Sequence, residues 1–129
     1  VFILFFLPLF ISCNDDDDDN EMMDNMVEIT ILEPTDGETI SDCADVHIHV
    51  EFEATDENHE IEIELHPEGD VDDKILEYDE HNHDQKIEWI EDVNLCDYPA
   101  GSCFHLEVAA CVDHDCEEKE WADVEFCLE

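Results

Sequence analysis

The sequence predicts an all-β protein: a seven-stranded antiparallel sandwich behind a short apolar leader and an acidic tether. Three observations carry that expectation. Apolar and polar residues alternate with period two through most of the chain, which sends one face of each strand to a core and the other to water. Clusters of Pro, Gly, Asp and Asn break the alternation at short intervals. No apolar stripe at helical spacing runs longer than a few residues.

The elements follow in order. Val27, Ile29 and Ile31 alternate with Glu28 and Thr30, and Glu33-Pro34-Thr35-Asp36-Gly37 ends that run with turn chemistry. Val46, Ile48, Val50 and Phe52 alternate with His47, His49, Glu51 and Glu53 in a second strand. Ile61, Ile63 and Leu65 alternate with Glu60, Glu62 and Glu64 in a third, stopped at Pro67-Glu68-Gly69-Asp70. Residues 74–78 form a short fourth strand. Residues 86–92 form a fifth that buries Ile87 and Trp89, although Ile90 leaves its register open. Phe104, Leu106, Val108, Ala110 and Val112 share one face of the sixth; after Asp113-His114-Asp115, Ala122, Val124, Phe126 and Leu128 share one face of the seventh.

Charge bounds the partners. The chain carries 41 acidic residues against Lys74, Lys86 and Lys119, for a net charge of -38. Nucleic acid is excluded, because phosphate binding requires cationic groups. Divalent cations and basic partners are favoured, while the compact state is strained by self-repulsion. Such charge can signal disorder. The hydrophobic fraction of 43%, placed in alternation, argues for a folded core instead.

The apolar string at residues 1–11 is too short to span a bilayer, which takes about 20 residues, and suits the core of a signal peptide. No basic residue precedes it, so the leader is expected to begin upstream of Val1. Phe10-Ile11-Ser12-Cys13 resembles the lipobox of bacterial lipoproteins, with Ser12 before the cysteine and Phe10 where leucine is usual. The aspartates at 15–19 resemble the export tag of Bacteroidota surface lipoproteins. The resemblance implies a removed leader at 1–12, a lipidated Cys13, a solvated linker over 13–26 and a folded domain over 27–129. It also implies a lipid anchor in the outer membrane and exposure at the cell surface.

Tyr98-Pro99-Ala100-Gly101, running into Phe104, Leu106, Val108 and Ala110, resembles a strand corner of bacterial immunoglobulin-like and fibronectin-like domains. That resemblance implies a Greek-key sandwich. Without Cys13, six cysteines remain, an even number that suits a disulfide framework in an exported chain. In the implied topology Cys43 precedes the second strand and Cys96 follows the fifth, its neighbour. Cys103 and Cys127 fall opposite each other on the last two strands, and Cys111 and Cys116 flank the turn between them. Cys43–Cys96, Cys103–Cys127 and Cys111–Cys116 are the expected pairs.

The same topology gathers alternate loops at one end. His59, His81, His83 and His114 then meet there, with Asp84 and the neighbouring carboxylates Asp56, Glu57, Asp79, Glu80, Asp113 and Asp115. Imidazoles suit Zn2+ or Cu2+, and carboxylates suit Ca2+. His47 and His49 share an outer strand face and form a second imidazole pair. The same residues also read as solvated polar filler. No Gly-x-Ser-x-Gly elbow, glycine-rich phosphate loop or His-Glu-x-x-His occurs, so catalysis is not expected. The function expected first is a membrane-anchored binding or accessory module that presents loops and sheet edges to another surface protein or a glycan. The alternative is a divalent-metal-binding lipoprotein. The charge imbalance yields a direct expectation: the melting temperature rises with added salt or millimolar calcium, and a flat dependence in thermal melts contradicts it.

Overall fold

A computed structural model describes residues 24–129. The leader at 1–12, Cys13 and most of the 13–26 linker lie outside the described residues. The described chain folds into strands β1 (Val27–Glu33), β2 (Glu38–Ile40), β3 (Val46–Ala54), β4 (Glu60–Pro67), β5 (Leu76–His81), β6 (Lys86–Val93), β7 (Cys103–Cys111) and β8 (Lys119–Leu128). Sheet order is β1-β3-β6 in one layer and β2-β8-β7-β4-β5 in the other. No described helix is long and apolar enough to cross a membrane.

The all-β sandwich stands, but the seven-strand antiparallel expectation needs correction. The described residues form eight strands, and β2 runs parallel to β8, with Glu38, Thr39 and Ile40 opposite Phe126, Cys127 and Leu128. The turn after Glu33 carries the chain from the three-stranded sheet to the five-stranded one. Gly37 adopts φ +79°, a region that disfavours side chains, and its N–H donates to Glu125 O at 2.7 Å. Asp36 Oδ1 accepts from the Glu125 N–H at 3.0 Å. Three residues with only Ile40 half-buried are too few to display an alternation. The fourth expected strand shifts as well: β5 covers Leu76–His81 instead of 74–78, so His81 ends a strand and pairs with Glu60.

The core lies between the layers. β3 supplies Val46, Ile48, Val50 and Phe52; β4 supplies Ile61, Ile63 and Leu65; β7 supplies Phe104, Leu106 and Val108; β8 supplies Val124, Phe126 and Leu128. Each large side chain buried this way contributes about 1.5–3 kcal/mol. Phe104 packs against Phe126 and Tyr98, with ring centroids at 5.5 and 5.1 Å. Ile87 and Trp89 point inward and Ile90 is 50% exposed, which settles the β6 register.

Disulfides join Cys43 to Cys96, Cys103 to Cys127 and Cys111 to Cys116. The first ties the entry of β3 to the exit of β6, beside a Leu95 N–H that donates to Cys43 O at 2.7 Å. The second links directly opposed residues of β7 and β8. The third closes the turn between those strands. Each bridge is worth about 2–4 kcal/mol.

One buried polar residue holds two loops together. Asn58 is fully buried, its N–H donates to Asp84 O at 3.2 Å, and Nδ2 donates to Asp84 O at 2.8 Å and Gln85 O at 3.1 Å. Asn58→Ala removes both side-chain donors and is expected to cost about 1–3 kcal/mol in urea denaturation. An unchanged midpoint contradicts this role.

Candidate metal centre

Three loops meet at one end of the sandwich: 55–59 between β3 and β4, 82–85 between β5 and β6, and 112–118 between β7 and β8. Each is held by its own polar ties. Loops 55–59 and 82–85 are laced by Asn58, by the Asn82 N–H donating to His59 O at 2.8 Å and by Gln85 Nε2 donating to Thr55 O at 3.1 Å. Asn25 bridges the first and third loops, as Nδ2 donates to Glu57 O at 2.7 Å and Val112 O at 2.9 Å. In the third loop Asp113 accepts from the N–H groups of Glu117 and Glu118, and the Cys111–Cys116 bridge closes the segment that carries His114. Side chains on such braced loops are set in place before any ligand arrives.

The result is a knot of four imidazoles. One ring nitrogen from each of His59, His83 and His114 lies within 4.8 Å of the others. The His59 ring centroid stands 5.4 Å from that of His83 and 5.8 Å from that of His114. His81 Nε2 lies 2.8 Å from His83 Nε2. His59 is only 6% exposed, and its Nδ1 is buried with no hydrogen-bond partner. That is an uncompensated polar atom of the kind a bound cation satisfies. His83 Nδ1 lies 3.1 Å from Glu57 Oε2. Because a carboxylate only accepts, Nδ1 carries the proton and Nε2 keeps its lone pair in the neutral ring. His59 and His114 also line a cleft of about 990 Å³ with Asn25, Val27 and Trp121, which opens the knot to solvent.

The structure thus brings His59, His81, His83 and His114 together. Asp84 takes another role: its carbonyl receives Asn58 and its N–H donates to Asn82 Oδ1 at 2.9 Å, and it is not among the grouped donors. Glu57 is the carboxylate beside the imidazoles. The other imidazole pair, His47 and His49, lies on the outer face of the three-stranded sheet, where His49 Nε2 stands 3.0 Å from Glu88 Oε1. Sequence reasoning missed a further group on the five-stranded sheet, His66, His105 and Glu107. Its only early signal was an outward histidine on each strand, because the β4–β7 register makes them neighbours. No family model matches this chain, and comparison with curated proteins finds no match.

His47 gives a pH signature. Its hydrogen bond with Asp92 raises its pKa, and the negative charges of Asp92, Glu33 and Asp45 add to the effect against some desolvation. A raised folded-state value means the contribution is full below the unfolded pKa of about 6.5 and is lost as pH rises through the folded value. His47→Gln should therefore lower the melting temperature more at pH 6 than at pH 9. Equal losses at both pH values contradict a charge-based role.

Proposed function

We propose that this protein is a lipid-anchored surface lipoprotein whose immunoglobulin-like domain captures a divalent late transition ion, Zn2+ or Cu2+, at the four-histidine end. The observation that carries the reading is the convergence of His59, His83 and His114 within 4.8 Å, with a buried His59 nitrogen left unpaired. Imidazoles are poor ligands for calcium and good ones for zinc and copper. His59, His83 and His114 would bind the ion, and Glu57 would orient His83 through Nδ1–H. His81 Nε2, which donates to His83 Nε2 at 2.8 Å, would add a fourth nitrogen only by moving its hydrogen to Nδ1. Three protein nitrogens around one ion leave a position for water or His81. The surrounding carboxylates raise the local concentration of cations and speed their arrival.

The resemblance of residues 10–19 to a lipobox and export tag supplies the anchor in this reading, at Cys13. Asn25 and Met26 sit at the histidine end, so the linker reaches the domain on the side of the site. A second reading, an accessory module that docks on another surface protein or a glycan, draws on Trp121. The residue is 64% exposed beside a carboxylate-lined groove that includes Glu62, Glu64 and Glu107.

The test is metal retention by the purified full chain, with millimolar magnesium present to occupy ordinary carboxylates. Zn2+ or Cu2+ is expected to survive desalting, and His83→Ala and His114→Ala should each weaken binding by at least tenfold. Loss of the ion on desalting, with no change in melting temperature on adding it, overturns the metal reading. Mass spectrometry that finds an unmodified Cys13 thiol in membrane-fraction protein overturns the anchor.

A further inference from the structure

The outer face of the five-stranded sheet holds a second convergence of imidazoles, built by strand register. Leu65 of β4 pairs with Leu106 of β7, and both are fully buried; the adjacent pair, His66 opposite His105, faces the other way. Their rings meet edge to face, with centroids 5.2 Å apart. Glu107 follows His105 by two residues on the same face, and its register partner on β8 is Asp123. Although it is on the outer face, His66 is only 2% exposed.

The hydrogen bonds assign the protons. His66 Nδ1 lies 2.9 Å from Pro67 O, and a carbonyl only accepts, so Nδ1 carries the hydrogen. Nε2 of the neutral ring therefore presents a lone pair. It is buried without a hydrogen-bond partner, and Glu107 Oε1 stands off at 3.9 Å. His105 Nε2 lies 2.8 Å from Asp123 Oδ2, which places its hydrogen there. In the neutral ring His105 Nδ1 then faces Glu107 Oε1 at 3.3 Å with its own lone pair. Three electron-pair donors converge, and one donor atom from each of the three residues lies within 4.8 Å of the others. In each imidazole the outer nitrogen donates to an oxygen, which is how histidines that ligate metals are oriented. A second proton on His105 would satisfy Glu107. It would still leave the His66 nitrogen unpaired.

We propose that His66 Nε2, His105 Nδ1 and a Glu107 carboxylate oxygen bind one divalent late transition ion, zinc the reference case, with Asp123 as the positioning residue for His105. Two imidazoles and a carboxylate suit zinc or copper and disfavour calcium. Ligand bonds of about 2.0–2.2 Å require the three side chains to close on the ion by small rotations. The site stands apart from the four-histidine end in residues and in sheet face, and it does not depend on it.

The test uses the full chain carrying His83→Ala and His114→Ala, in millimolar magnesium, titrated with Zn2+ in a calorimeter. One equivalent is expected to remain. Adding His105→Ala or Glu107→Gln should weaken it at least tenfold, and Asp123→Asn should weaken it about tenfold through the lost hydrogen bond. Nitrogen-15 NMR of the unsubstituted chain reads His66 without altering a buried residue: Zn2+ should shift its Nε2 resonance and leave Nδ1 protonated. That spectrum decides the matter if a variant loses its near-ultraviolet circular dichroism. Absence of the remaining equivalent, its indifference to folded His105→Ala and Glu107→Gln variants, or an unmoved His66 Nε2 resonance each overturns the proposal.

Discussion

Strict alternation under extreme negative charge is the constraint on which this structure depends. Each long strand must bury one face, and the sequence places carboxylates on many outward positions, as in Glu60, Glu62 and Glu64 of β4. Folding gathers those charges onto two sheet faces, so apolar burial around Phe52, Phe104 and Phe126 works against mutual repulsion. Two of the three lysines sit among the carboxylates: Lys119 Nζ lies 2.8 Å from Glu62, and Lys74 Nζ lies 3.4 Å from Glu64 and 3.6 Å from Glu77. Three disulfides supply what so few basic groups cannot, by restricting the unfolded chain.

The histidines are distributed in a way that this background does not explain. Every one of the eight has another imidazole with its ring centroid within 6.4 Å. Counterions for carboxylates would be spread among them singly, since adjacent imidazolium ions repel. Clustering instead brings several ring nitrogens within reach of one another, as at His59, His83 and His114. His59 and His66 reinforce the point, because each keeps a buried ring nitrogen that no protein group satisfies.

Much of the sandwich was legible because period-two patterns state which residues face inward, and Val46 through Phe52 and Phe104 through Ala110 obey them. The end cluster was legible through topology, since alternate loops of an antiparallel sandwich share an end. β2 was not legible, because its three residues take their place from hydrogen bonds to β8, a partner about ninety residues away. The bounds of β5 were blurred for a related reason: Lys74 contributes its ion pairs from the loop that precedes the strand. The pairing of His66 with His105 is a product of register. A slip of two residues between β4 and β7 would keep every residue on its face and still separate them, so the alternation alone does not specify that alignment.

The open borders of the sheets carry a consequence for the protein at high concentration. Among the described residues, β5 leaves one backbone edge of the five-stranded sheet unpaired, and along it Glu77 and Asp79 are exposed. A second molecule sliding in to extend the sheet would lay its own matching row against them, like charge on like. Backbone groups that could seed fibrous growth are thereby guarded by side chains, and neighbouring molecules stay dispersed at high local density.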